Sequence, residues 1–368
     1  MKKVNKRLSF RLFFVAVAAV SIFSASAFSA SAEGPEDLLD SFYGILPPDS
    51  GVGEGDSLSS AIGFEAILAD IISALSGEGG GAFSFFLLLM GFAVIMAAAG
   101  ILHSDDKISL KRNSEVAISA IGAVSIFSAL FGVIAAVREG LTSVVDFFSE
   151  LAPILTAISI SGGSVASAGV QAVNINITLA LIEKFCTGAL LPLVFVLFSL
   201  ALAASADCGG VAKVAKGVKN LFSWGIGIVS AILAAAVAMQ SVVASAEDSA
   251  SLRAARYAAS GMIPIVGSAV SSVLATLAGG LAFIKSTVGV SSIVVIVSLA
   301  LAPLISLLLY RLAFSFAVIF LEFAGSEGGV RCYSAFKSAL DALIAVYSAS
   351  VLICIVELVV FIKGGGAL

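Results

Sequence analysis

One histidine, His103, one tryptophan, Trp224, and a charged fraction of only 12% leave little chemistry to distribute over 368 residues. A single histidine excludes any site built on two imidazoles, whether a His-rich metal centre or a serine–histidine pair with a histidine ligand beside it. Four cysteines, Cys186, Cys208, Cys332 and Cys354, stand far apart with no Cys-x-x-Cys pair. That spacing gives neither a zinc site nor a disulfide framework. No glycine cluster ends in Gly-Lys-Ser/Thr, there is no dinucleotide fingerprint, and no helical zinc motif is present, so phosphate cradling and metal-dependent proteolysis have no residues to work with. The chain reads as a non-enzyme with no cofactor and no metal. A net charge of -4 supplies no concentrated basic surface, which excludes nucleic acid as a partner.

What is abundant is apolar. Hydrophobic residues make up 60% of the chain and the mean hydropathy is +1.12, far outside the soluble range. The fold class that follows is all-α: a polytopic transmembrane bundle with six to eight spans, some broken or re-entrant, and membrane lipid as its solvent.

Residues 1–32 carry Lys2, Lys3, Lys6, Arg7 and Arg11, an apolar core from Leu12 to Val20, and a small-residue run ending Ala30-Ser31-Ala32. This is the make-up of a cleaved secretory signal peptide, with a retained anchor as the alternative. Residues 33–81 are acidic and Gly-rich, with two short helical patterns, Asp37 to Leu46 and Ile67 to Leu75, on what reads as a flexible external region. Those patterns either pack on the membrane body or dock a partner. Residues 82–368 form the multi-pass body.

Ala82–Leu102 and Val116–Val137 are clean spans, and Lys107, Lys111 and Arg112 between them place that loop in the cytoplasm. An exported N-terminus gives the same orientation. His103, Asp105 and Asp106 in this loop read as a solvated turn rather than a metal cluster. Arg138–Glu150 is expected to be an external segment. Gly162 and Gly163 interrupt the next apolar stretch and predict a helix break, while Gln171, Asn174 and Asn176 follow as intramembrane amides that either bond between helices or line a conduit. Lys213, Lys216 and Lys219 share one side of a cytoplasmic interfacial helix, as an anchor or as a surface for an acidic partner.

The most distinctive stretch follows Arg256. Pro264 predicts a break. Beyond it Gly267, Ser271, Ala275 and Gly279 recur every fourth residue, with Ser268, Ser272, Thr276 and Gly280 one step round. Small residues let helix backbones approach, so the stripe is a dry packing seam or, if its hydroxyls face water, the lining of a path. Val288–Phe323 is broken by Pro303 and Tyr310-Arg311 and fits either a kinked long helix or a tight hairpin. Arg311 and Glu322 are placed near interfaces or paired within the body, and Asp341 and Glu357 are read as boundary residues of the last span.

Arg256-Tyr257-Ala258, then Met262-Ile263-Pro264-Ile265-Val266-Gly267, the small-residue helix and Ile284-Lys285-Ser286-Thr287-Val288-Gly289-Val290 together resemble the stage III sporulation protein AE family. The resemblance implies a membrane element of the channel joining mother cell and engulfed forespore in endospore formers, acting as platform or gate in the mother-cell-derived outer forespore membrane. It also implies partners: an ATPase, ring-forming proteins similar to secretion systems, and a forespore-side protein. The alternative is a self-contained secondary transporter of a small solute, whose expected sign is a pair of broken helices in corresponding halves.

Overall fold

The computed structural model describes residues 35–46, 64–102, 108–161, 165–204, 214, 217–218, 220–229, 231 and 267–363. Every regular element among them is helical: α1 (Pro35–Gly44), α2 (Phe64–Leu102), α3 (Ile108–Ser161), α4 (Val165–Ala180), a π-helix (Leu181–Leu190), α5 (Leu191–Ala204), α6 (Asn220–Val229), α7 (Gly267–Phe323) and α8 (Glu327–Lys363). Five stretches, Gly79–Ala98, Ala120–Ser161, Ala168–Ala201, Phe283–Phe323 and Glu327–Ile362, are long and apolar enough to cross a membrane. The architecture is therefore the all-α polytopic bundle expected from composition. The signal peptide at 1–32 lies outside the described residues, as do His103, Asp105 and Asp106.

Three helices are longer than the sequence pattern suggests. Helix α3 runs 54 residues and α7 runs 57, so at about 1.5 Å per residue each exceeds a bilayer core of about 30 Å more than twofold. Arg138–Glu150, expected to be external, is continuous helix with the segments on either side of it. Leu141, Val144, Phe147 and Phe148 of this segment are buried, whereas Glu139, Asp146 and Glu150 are exposed. Apolar residues at i, i+3, i+6 and i+7 hold one face against the bundle, and the charges on the other face require no break in the chain. In the same way α7 carries Pro303 inside an unbroken helix, so the long-helix reading of Val288–Phe323 holds and the hairpin does not. Helix α2 also continues through Gly77–Gly81, where the sequence reading has a flexible region.

Helices α7 and α8 form an antiparallel hairpin whose turn has Gly325 at a φ of 73°, a conformation that glycine adopts without strain. The turn closes with Ser326 N–H donating to Leu321 O at 3.1 Å and Gly325 N–H to Glu322 O at 3.1 Å. Helix α2 packs beside α7, and α3 crosses both α7 and α8. A Cβ on Gly140 would stand 2.8 Å from Pro303 Cγ and 3.0 Å from the Tyr347 hydroxyl, so this glycine lets α3 approach where those two residues meet. Helix α1 lies on α3 and α7 with Phe42 fully buried, so the first amphipathic pattern packs on the body. The second exposes Ile71, Ile72 and Leu75.

At the turn end the core is aromatic. Phe314 stacks on Phe336 with centroids 6.2 Å apart and meets Phe85 and Tyr333 edge-on at 5.5 and 6.0 Å, while Phe198 approaches Phe336 at 6.3 Å. Tyr333 donates its hydroxyl to Leu89 O at 3.0 Å, which satisfies the one polar atom among these rings.

Candidate functional site

Most polar side chains in the bundle are satisfied within their own helix. Ser125, Thr142, Thr156, Ser199, Ser292, Ser315 and Ser350 each donate to a carbonyl four residues earlier, which disposes of a hydroxyl without a second helix. Asn176 does the same, its Nδ2 donating to Ala172 O at 2.7 Å from an exposed position. Against this background the groups that bond between helices stand out, and two such contacts, Ser159 with Gln171 and Asn174 with Glu357, lie where α3, α4, the π-helix and α8 meet.

Asn174 is 4% exposed and Glu357 is 1% exposed, and Asn174 Nδ2 stands 3.2 Å from both carboxylate oxygens of Glu357. The Thr178 side chain lies beside the same carboxylate, but its Oγ1 completes no hydrogen bond of good geometry. One turn back on α4, Gln171 Oε1 accepts from Ser159 Oγ at 3.0 Å, and Gln171 Nε2 is buried without a partner. Gln171, Asn174 and Thr178 recur at i, i+3 and i+7, the spacing that puts them on one face of α4. On α8, Ser350, Cys354 and Glu357 recur at i, i+4 and i+7, and the π-helix adds Cys186, whose thiol shares a hydrogen bond with Ser350.

The π-helix belongs to this junction. Leu191 N–H donates to Cys186 O and Thr187 Oγ1 to Ile182 O, both across five residues rather than four. Each wide turn inserts extra backbone, and π segments concentrate where function needs a side chain re-aimed. Here Cys186 is turned inward, while Glu183 and Lys184 point out and pair with each other at 2.6 Å.

Glu357, near the end of the Glu327–Ile362 stretch, is turned into the bundle and is the one charged residue that is buried among those described. Its position seven residues after Ser350 places it on the inner face of α8, which distance from the chain end does not reveal. Asp341 pairs from within α8 with Arg311 of α7 at 2.5 Å. Both partners are nearly half-exposed, so the pair lies on the flank of the bundle and not inside it.

Of the amides singled out in the sequence, Gln171 and Asn174 enter the junction and Asn176 does not. Gly267, Ser268, Ser271, Ser272, Ala275, Thr276, Gly279 and Gly280 all fall in the first turns of α7, but their side-chain surroundings lie outside the described residues. Pro264, Gly162, Gly163, Lys213, Lys216 and Lys219 also lie outside them; α3 ends at Ser161 and α4 begins at Val165, on either side of the two glycines. Sequence reasoning missed Glu357, Thr178 and Cys186. The available signal was the polar i, i+4, i+7 register Ser350, Cys354, Glu357 within an otherwise apolar span.

No solved structure matches the chain. The Stage III sporulation protein AE of Bacillus subtilis (strain 168) is 23% identical over 260 residues, covering 68% of this chain and 64% of its own length. Residues 57–365 match the family described as Stage III sporulation protein AE. That match takes in every described helix from α2 to α8, including both sides of the buried Asn174–Glu357 pair, and the chain is a multi-pass membrane protein belonging to the stage III sporulation protein AE family.

Proposed function

We propose that the chain is a non-enzymatic, polytopic component of the channel and export complex that joins mother cell and forespore during endospore formation, acting as its platform or gate. The observation that carries this reading is the family match over residues 57–365, laid on a body with five membrane-length helical stretches. Its place is the mother-cell-derived outer forespore membrane. An ATPase, ring-forming proteins and a forespore-side protein are its partners, supplying the energy and walls that a bundle of this composition has no motif to provide. The early part of α2 offers them a surface, because Ile71, Ile72 and Leu75 are exposed ahead of the Gly79–Ala98 span.

Affinity purification of the tagged protein from sporulating cells in mild detergent, with mass spectrometry of what accompanies it, tests this directly. Recovery with a membrane-associated ATPase and ring-forming proteins is the expected result, and recovery alone as a monomer or homodimer overturns it. Whether the Gly267–Gly280 stripe is a dry seam or a lining is read from Ser272→Cys, which reacts with a water-soluble thiol reagent only if water reaches it.

A self-contained secondary transporter is the second reading, favoured by the buried Glu357 beside an irregular helix. Solute flux into proteoliposomes holding the purified chain alone distinguishes it from the platform.

A further inference from the structure

We infer that Glu357 is a proton-binding site within the membrane body, held as a carboxylic acid whose O–H is donated to Thr178 Oγ1 while Asn174 donates to the acid's carbonyl oxygen. The inference concerns a side chain and its neighbours, and it stands whether the chain works as a platform or as a transporter.

The argument begins with what surrounds the carboxyl group. It is 1% exposed, and among the described residues no lysine or arginine pairs with it. From α4 it faces Asn174 and Thr178, from its own helix Cys354, and from the π-helix the neighbouring Cys186. On α7, Lys285 sits over the Phe361 ring at 4.6 Å, one helical turn further along α8. On α3 the junction presents the neutral Ser159, while Asp146 and Glu150 are exposed. A carboxylate taken out of water needs a cation, several donors or a proton to neutralise it. Here one amide nitrogen is shared between the two oxygens, and the Thr178 hydroxyl beside them makes no hydrogen bond of good geometry.

A metal cation is a poor fit. Hard cations such as sodium gather several oxygen ligands, and the side chains that stand beside the carboxylate, the Asn174 amide and the Thr178 hydroxyl, are too few to complete such a shell. No grouping of three or more His, Cys, Asp or Glu able to hold a metal occurs among the described residues. A proton removes the charge without needing space. It also offers an O–H to the Thr178 hydroxyl, which is buried beside the carboxyl without a good partner and has lone pairs free to accept it. In the balance of the step, one carboxylate oxygen of Glu357 takes up one proton and gives it back; nothing else is consumed.

The consequence is a seam that responds to pH. With the proton bound, the α4–α8 contact is a neutral pair of hydrogen bonds. When the proton leaves, the same contact holds an unpaired charge, so the seam is tightest in the protonated form and loosens as pH rises.

Infrared spectra of the full chain in phospholipid vesicles test the proposal. The expected result is a C=O stretch of an un-ionised carboxylic acid at neutral pH in the wild-type protein, absent from Glu357→Gln and fading in alkaline buffer. Wild-type and Glu357→Gln spectra with the same acid band overturn it. So does an acid-free wild-type spectrum accompanied by sodium-dependent thermal stabilisation that Glu357→Gln abolishes, since that marks an ionised cation site. If Glu357→Gln does not fold, Thr178→Val keeps the side-chain shape and removes the acceptor: a shift of the acid band supports the O–H to Thr178 bond, and an unmoved band overturns it.

Discussion

The two ends of the α7–α8 hairpin pack by different physics. Near the turn, Phe85, Phe198, Phe314, Tyr333 and Phe336 interlock, and their one hydroxyl is satisfied by Leu89 O. At the other end of α8, Asn174, Gln171, Thr178 and Glu357 are equally buried, but Gln171 Nε2 and Thr178 Oγ1 lack partners. In a bilayer the apolar end gains from close dispersion contacts, because lipid removes most of the hydrophobic driving force between helices. The polar end gains from hydrogen bonds that lipid cannot replace. An end fully satisfied has one arrangement, whereas an end with unused donors and acceptors has others within reach. The difference separates a structural anchor from the region where change is built in.

Perturbing each end makes the comparison quantitative. The largest effect belongs to Phe314→Ala, which empties a site touched by three other rings and should cost about 3–5 kcal/mol, read from unfolding in mixed micelles. A loss below about 1 kcal/mol there would mean that the aromatic end is not the anchor. Next comes Gly289→Ala, whose added methyl meets Ile362 side-chain carbons and should cost about 1–3 kcal/mol by overpacking. Gly132→Ala is its control: nothing lies within 4 Å, and replacing a helical glycine should leave stability unchanged or raise it by up to about 1 kcal/mol.

At the polar end, Asn174→Leu removes the one amide donor to Glu357 and should cost about 1–2 kcal/mol, while Asn176→Leu, two residues on and bonded only to its own helix, should stay within about 0.5 kcal/mol. Equal effects at the two positions would dissolve the distinction between inward and outward amides. The smallest change is expected for Arg311→Ala. Its ion pair with Asp341 is nearly half-exposed on both sides, and such pairs contribute about 0–1 kcal/mol.

Several of these contrasts are legible in the sequence and several are not. Composition alone gives the membrane class, since a chain with 60% hydrophobic residues cannot be kept in water by its remaining charges. The polar character of Gln171 and Asn174 within an apolar stretch marks them out for partners. The sequence does not say which residue answers Asn174, because Glu357 lies 183 positions away and only the packing of α4 on α8 joins them. The inward face of Arg138–Glu150 is unread for a related reason: charge density along the chain hides that on the helix the charges fall on the outer face and the apolar residues between them fall inward.

The sequence by itself determined the solvent of this protein, the helical class and the family, because apolar content and local residue patterns act through short-range physics that needs no partner. The tertiary structure decided which helices run on through their prolines and glycines, where the π-turns fall, and which polar groups are buried together. Those outcomes depend on contacts between segments far apart in the chain. Glu357 is the clearest case: its burial next to Thr178 and Asn174 is a property of two packed helices, and neither helix carries it alone.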